Sequence, residues 1–283
     1  MATQLVAHWL TLTAFTALVG GLVVPLMVMR SETARPLVDA VSLARRRWLA
    51  GWLMAGALAS GLAWLAAPAA FEDGRAGWLL VARLFLLSAI TWAVWQRREL
   101  GGWIVAPALA LLLTQSLLSR SATLPDWIPH TLNDWFHMTL TTFWLGGVAM
   151  LAFILIPAVI RAPGLLGAFS HSVDRFSPLA MFCVLGLGIS GIIQAGAFVR
   201  DLSDLIETDY GRALSAKLVI SAVLIGFGAL HQQVIAPRLR LWRLKAGRTQ
   251  AEATTLRFRV SLYAEVAASL MLLLIVGVMK SGQ

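Results

Sequence analysis

Residues 5–29 read LVAHWLTLTAFTALVGGLVVPLMVM, a stretch in which His8 is the only ionisable side chain. As an α-helix it would be roughly 37 Å long, enough to cross the ~30 Å hydrocarbon layer of a bilayer. Its few polar residues are scattered threonines and do not form the charged face that a soluble amphipathic helix needs. The stretch lacks a basic lead-in and a small-residue cleavage motif, so it is expected to be a retained membrane helix and not a signal peptide.

Moving outward from this stretch, seven more segments read the same way, near 46–68, 77–96, 101–119, 132–160, 176–199, 211–236 and 258–280. The composition agrees. Hydrophobic types make up 59% of the 283 residues and charged types 13%, where a soluble domain carries about a quarter charged residues. The single cysteine, Cys183, excludes a disulfide framework and a cysteine-cluster metal site. The expected fold is all-α: a polytopic membrane protein of eight transmembrane helices.

Charge alternates between the connections. Arg30, Arg35 and Arg45–Arg47 follow the first helix, Arg97 and Arg98 the third, and Arg161 and Arg175 the fifth. Arg238, Arg240, Arg243, Lys245, Arg248, Arg257 and Arg259 follow the seventh, while the other three connections hold Arg75, Arg120 and Arg200. The positive-inside rule puts the first set in the cytoplasm and both termini outside. The net charge of +9 is therefore a topology signal, and nucleic acid is excluded as a partner. Acids gather on the outer side instead: Glu72, Asp73, Asp126, Asp134, Asp201, Asp204, Glu207 and Asp209. Trp9, Trp78, Trp127 and Trp135 near the outer helix ends, and Trp48, Trp95, Trp103 and Trp242 near the inner ones, fit interfacial belts in contact with membrane lipid.

The two halves echo each other. Gly20-Gly21 answers Gly146-Gly147, Arg45 with Ser60-Gly61 answers Arg175 with Ser190-Gly191, and Gly77 with Arg83 answers Gly211 with Lys217. A repeat of four helices enters the membrane twice in the same direction, so the expectation is two parallel four-helix repeats, 1–126 and 127–283, with a site at their seam.

Ionisable and amide side chains inside spans are functional candidates because each is costly there. On the outer side these are His8, His137, Gln115, Gln194, Arg83 and Lys217, with His130 in the connection before the fifth helix. His8 lies with Thr11, and His137 with Thr141, on one helix face. If the two histidines are equivalent, they converge at the seam. Imidazole suits copper, zinc, iron or haem, whereas Arg83 and Lys217 would repel a cation and suit a structural or gating role. On the inner side Glu265 and His231 sit at similar depth and are positioned for a buried pair or a proton relay. Met27 and Met29 point to opposite sides of their helix, and Met54, Met150, Met181 and Cys183 read as packing. The phosphate-loop, zinc-protease and serine-hydrolase motifs are missing from the sequence, so no enzymatic activity is expected.

The second half resembles the copper resistance protein D family. The resemblance rests on Asp134-Trp-Phe-His137 leading to Phe143-Trp-Leu-Gly146-Gly147, then Arg175-Phe-Ser177-Pro-Leu-Ala180 and Ser190-Gly191-Ile. Thr208-Asp-Tyr210-Gly211-Arg212-Ala-Leu214 with Lys217 follows, then Pro237 and Glu265. It covers about residues 130–280, with the first half similar to the family's more divergent amino-terminal helices. It implies a bacterial inner-membrane protein that moves or handles copper with a small periplasmic copper-binding partner. It points to His137, Tyr210, Arg212, Lys217 and Glu265 as the residues to follow. Many family members carry Gly-His-Ala before the fifth helix, where this chain has Ser119-Arg120-Ser121-Ala122; His231 stands where the family has Asn. The expected function is inward copper transport, with His137, His8 and His130 as metal candidates. The alternatives are a haem-binding b-type cytochrome-like electron carrier, which needs His8 and His137 on facing helices, and a membrane scaffold for a periplasmic copper chaperone.

Overall fold

The computed structural model describes residues 2–66, 74–96, 101–197, 199, 201, 203–235, 237–238 and 248–281, and every regular element among them is helical. In chain order these are α1 (Ala2–Val28), α2 (Arg35–Ala66), α3 (Gly74–Gln96), α4 (Val105–Leu117), α5 (Trp127–Arg161), α6 (Leu166–Gly196), α7 (Asp209–Leu230) and α8 (Arg248–Ser281). A one-turn helix, Asp204–Glu207, precedes α7. Among the described residues seven segments are long and apolar enough to cross a bilayer, and Gly102–Leu117 is a further, shorter apolar helix. The chain is a polytopic helical membrane protein. Glu72, Asp73, Arg97, Arg98, Arg200, Arg240, Trp242, Arg243 and Lys245 lie outside the described residues.

Three helices start about ten residues earlier than the apolar windows predict, at Arg35, Leu166 and Arg248. An apolar window measures only the hydrocarbon crossing, whereas backbone hydrogen bonding continues through arginine and other good helix formers in the aqueous phase. Arg45, Arg46 and Arg47 therefore belong to α2 and not to a loop. The predicted fourth helix, 101–119, is trimmed to a 3-10 turn at Gly102–Ile104 followed by Val105–Leu117.

α1 is buried along nearly its whole length and packs against α2, α5 and α8, as expected of a helix apolar on every side. Its Pro25 has no N–H to give the Gly21 carbonyl four residues earlier. Arg45 of α2 replaces that donor: its Nε donates to Gly21 O at 3.0 Å and its Nη2 to Leu22 O at 3.2 Å. Freed carbonyls in a membrane helix need such partners because no water supplies them. Trp48 Nε1 donates to Ala17 O at 3.1 Å, Trp135 Nε1 to Leu109 O at 2.9 Å and Trp9 Nε1 to Leu270 O at 3.3 Å. These three tryptophans are interhelical donors, unlike Trp78, Trp95, Trp103 and Trp127, which are exposed.

α1 and α5 meet backbone to backbone at Gly20 and Gly146. A Cβ on Gly20 would stand 2.6 Å from the Gly146 carbonyl carbon and 2.9 Å from the Thr142 carbonyl oxygen. The neighbouring glycines face away from each other, Gly21 against Trp48 and Leu49 of α2 and Gly147 against Phe176 of α6. Leu5 and Trp9 lie against Gly277, which puts the start of α1 beside the end of α8. At that same end Arg75 of α3 reaches Leu117 O and stacks over Trp127. At the opposite end Arg30 lies against Gly102.

Two helices contain π turns. Leu151–Leu155 interrupts α5, and His231–Ile235 extends α7. The first is explained by Pro157, which cannot donate to the carbonyl of Phe153 and leaves the ladder to widen.

Candidate functional site

Polar side chains gather at two levels of α5–α8. Near the end that holds both described termini, Asn133, Asp134 and His137 of α5 meet Ser190 and Gln194 of α6. The spacings of four, 133 to 137 and 190 to 194, place each set on one helix face. Asn133 Nδ2 donates to Ser190 O at 3.1 Å and Gln194 Nε2 to Asp134 Oδ1 at 3.2 Å, while Asp134 Oδ2 is buried with no hydrogen-bond partner. His137 Nδ1 lies 2.8 Å from Ser190 Oγ, which itself donates to Gly186 O at 2.7 Å. A hydroxyl that has spent its proton on a carbonyl accepts from the imidazole, so Nδ1 carries the hydrogen and Nε2 presents the lone pair. Metal-binding histidines are held this way, with the second ring nitrogen donating to a fixed acceptor.

The second level lies between α5, α6, α7 and α8, where a cavity of about 170 Å³ is lined by Trp144, Phe176, Ser177, His231, Gln232 and Glu265 among others. The Glu265 side chain is 1% exposed. Its Oε2 stands 3.2 Å from His231 Nδ1, yet this oxygen has no partner of hydrogen-bonding geometry. His231 Nε2 lies 2.8 Å from Ser261 Oγ, and the ring packs edge-on against Phe258 at 5.0 Å. Ser261 and Glu265 are one turn apart on α8, and His231 opens the π turn, a distortion that often marks functional sites.

The remaining candidates are dispersed. His8 Nδ1 faces the Gln4 carbonyl of its own helix at 3.3 Å. His130 sits one turn before Asp134 and is partly buried. The described residues hold no group of three His, Cys, Asp or Glu side chains placed to share a metal. The haem alternative finds no support in the placements of the described residues. Arg83, 3% exposed, gives Gln115 Oε1 a hydrogen bond at 2.9 Å and Thr114 Oγ1 one at 3.2 Å, and lies 5.3 Å over the Phe15 ring. No carboxylate pairs with it among the described residues, which fits a structural cation. Arg212 pairs with exposed Asp209 in the first turn of α7, a contact worth little. Tyr210 and Lys217 are partly buried. In the same string Thr208 caps α7 by accepting from Gly211 N at 2.9 Å. Gly211 has no room for a Cβ, which would meet Leu205 Cα at 2.6 Å. Much of that string therefore builds the start of a helix. Met27 and Met54 are exposed, and Met150 and Cys183 are core.

Asn133 and Ser261 are absent from the sequence-based candidates. The i, i+4 spacing of Ser261 with Glu265 was the available signal for one, and the same spacing of Asn133 with His137 for the other.

The copper resistance protein D family model matches residues 170–279. The copper transport protein CutJ of Bacillus subtilis (strain 168) is 30% identical over 165 residues, covering 56% of this chain and 30% of that protein. The chain thus spans less than a third of the length of this curated relative. No solved structure matches. The matched segment includes Ser190, Gln194, His231, Ser261 and Glu265 of the two polar levels, so the carboxy-terminal part of this chain is similar to the copper resistance protein D family.

Proposed function

We propose that this protein carries copper inward across the bacterial inner membrane, with His137 as an early protein ligand. The observation that carries the reading is the chain His137 Nδ1, Ser190 Oγ, Gly186 O, which fixes the imidazole and turns Nε2 into a lone-pair donor within a span. Asp134, one turn away with a buried oxygen lacking a partner, supplies negative charge beside it. An acidic outer surface collects the ion or a small periplasmic copper-binding partner. The CutJ name, a copper transport protein, supports the same cargo.

The reading includes eight crossings, both termini periplasmic, and two parallel four-helix repeats divided near residue 126. Three placements support it. The short α4 runs from the end near Arg30 to the end near Arg75. The start of α1 adjoins the end of α8. Gly20 and Gly146, equivalent in the repeat, touch each other as equivalent residues do at a local symmetry axis.

The test is copper accumulation in cells expressing the protein against cells carrying an inactive vector, with His137→Ala alongside. The wild type raises cell copper and His137→Ala returns it to the vector level. Equal accumulation in wild type and variant would overturn the assignment of His137, and no rise in either would overturn copper carriage.

A further inference from the structure

We infer that His231 Nδ1 and Glu265 Oε2 form a second metal station, one that takes copper as Cu(II); it rests on the copper reading for the identity of its ion. A carboxylate 1% exposed in an apolar bundle needs a cation or a hydrogen-bond donor, and Glu265 Oε2 has no hydrogen-bond partner. The neighbouring imidazole does not satisfy it, because the 3.2 Å approach of Nδ1 lacks hydrogen-bonding geometry. Ser261 Oγ, 2.8 Å from Nε2, is placed to accept the ring hydrogen. In that tautomer Nδ1 and Oε2 are two lone-pair donors side by side. Two donors about 2.0–2.1 Å from one metal ion and 3.2 Å from each other subtend roughly 100° at the metal, an ordinary angle between neighbouring ligands.

The cavity leaves room for the ion, and Gln232 and Ser177 on its wall can complete the coordination with water. Among the described residues no other charged side chain lines it. The donors decide the oxidation state. Imidazole with carboxylate favours Cu(II), the most tightly bound of the divalent first-row ions, while Cu(I) selects thioether and thiolate. Among the described residues Cys183 is not on the cavity wall, and Met181, the one thioether there, is 46% exposed on the outside of the bundle.

The test titrates the purified full chain in detergent with Cu(II), followed by calorimetry and by paramagnetic resonance, and with Cu(I) against a Cu(I) chelator. The expected result is a Cu(II) site with imidazole nitrogen coupling that persists in His137→Ala. It weakens about tenfold or more in Glu265→Gln and in His231→Gln, and less in Ser261→Ala, whose hydroxyl acts through the ring. Cu(I) affinity stays unchanged in Glu265→Gln. If Glu265→Gln does not fold, His231→Gln reads the same loss. Wild-type Cu(II) affinity in His231→Gln, or loss of all Cu(II) binding in His137→Ala, would overturn the second station. Copper carriage through His137 is judged separately by accumulation, so either reading can fail while the other stands.

Discussion

The backbone contact between α1 and α5 yields a measurable prediction. In Gly20→Ala the new methyl carbon would stand 2.6 Å from the Gly146 carbonyl carbon and 2.9 Å from the Thr142 carbonyl oxygen. Carbon atoms pack best at about 3.5–4.0 Å, so α1 and α5 must separate by roughly 1 Å. A radial gap of that size forfeits a quarter to a half of the dispersion energy at the contact, and overpacking of this kind costs about 1–3 kcal/mol. Alanine also gains about 1 kcal/mol over glycine in helix propensity, so Gly20→Ala alone would understate the clash. Gly51→Ala in α2 cancels that gain, because nothing lies within 4 Å of its added methyl. Fraction folded against increasing SDS, read by circular dichroism, should place Gly20→Ala about 1–3 kcal/mol below Gly51→Ala. Equal stability of the two variants would refute the backbone contact.

Gln115→Leu removes the acceptor that holds Arg83 at 2.9 Å. A buried hydrogen bond to a charged group is worth about 1.5–3 kcal/mol, so the same unfolding assay should register a loss of about 2 kcal/mol, and no loss would show that Arg83 is satisfied elsewhere. Thr208→Ala deletes the side-chain cap of α7, which costs about 1 kcal/mol. Amide exchange should accelerate in the first turn, residues 209–212, and stay unchanged near 220.

The order of the long apolar helices was legible because the hydrocarbon thickness sets a length that apolar runs must meet, and 5–29 already pointed to the class. The helix starts were not, since Arg35 and Arg46 are as comfortable in a solvated helix as in a loop. The role of Arg45 was hidden for a related reason: it answers a missing N–H at Pro25, and only the packing of α2 on α1 shows which carbonyl it reaches. The site was legible in its residue types and not in its pairings. His137 and Ser190 both stood out in the sequence, the serine only as a repeat landmark, because their contact depends on the register of α5 against α6. Glu265 and His231 were matched by depth, whereas Ser261 and the π turn under His231 belong to three-dimensional geometry.

The helices of the two ends bury opposite charges, and this bears on where a metal ion can pass. α3 holds Arg83 nearly free of solvent, fixed by Thr114 and Gln115, whereas α8 holds Glu265 equally buried. At an effective dielectric of 20, a divalent ion 10 Å from a guanidinium meets about 3 kcal/mol of repulsion, which lowers its occupancy roughly a hundredfold. The same ion approaching Glu265 gains attraction of that order. Lys217 on α7 does not cancel this, because it is only partly buried and solvent screens an ammonium that reaches it. On the copper reading proposed above, the buried Arg83 disfavours a cation among α1–α4 and Glu265 favours one among α5–α8, where His137 and the His231–Glu265 pair both lie.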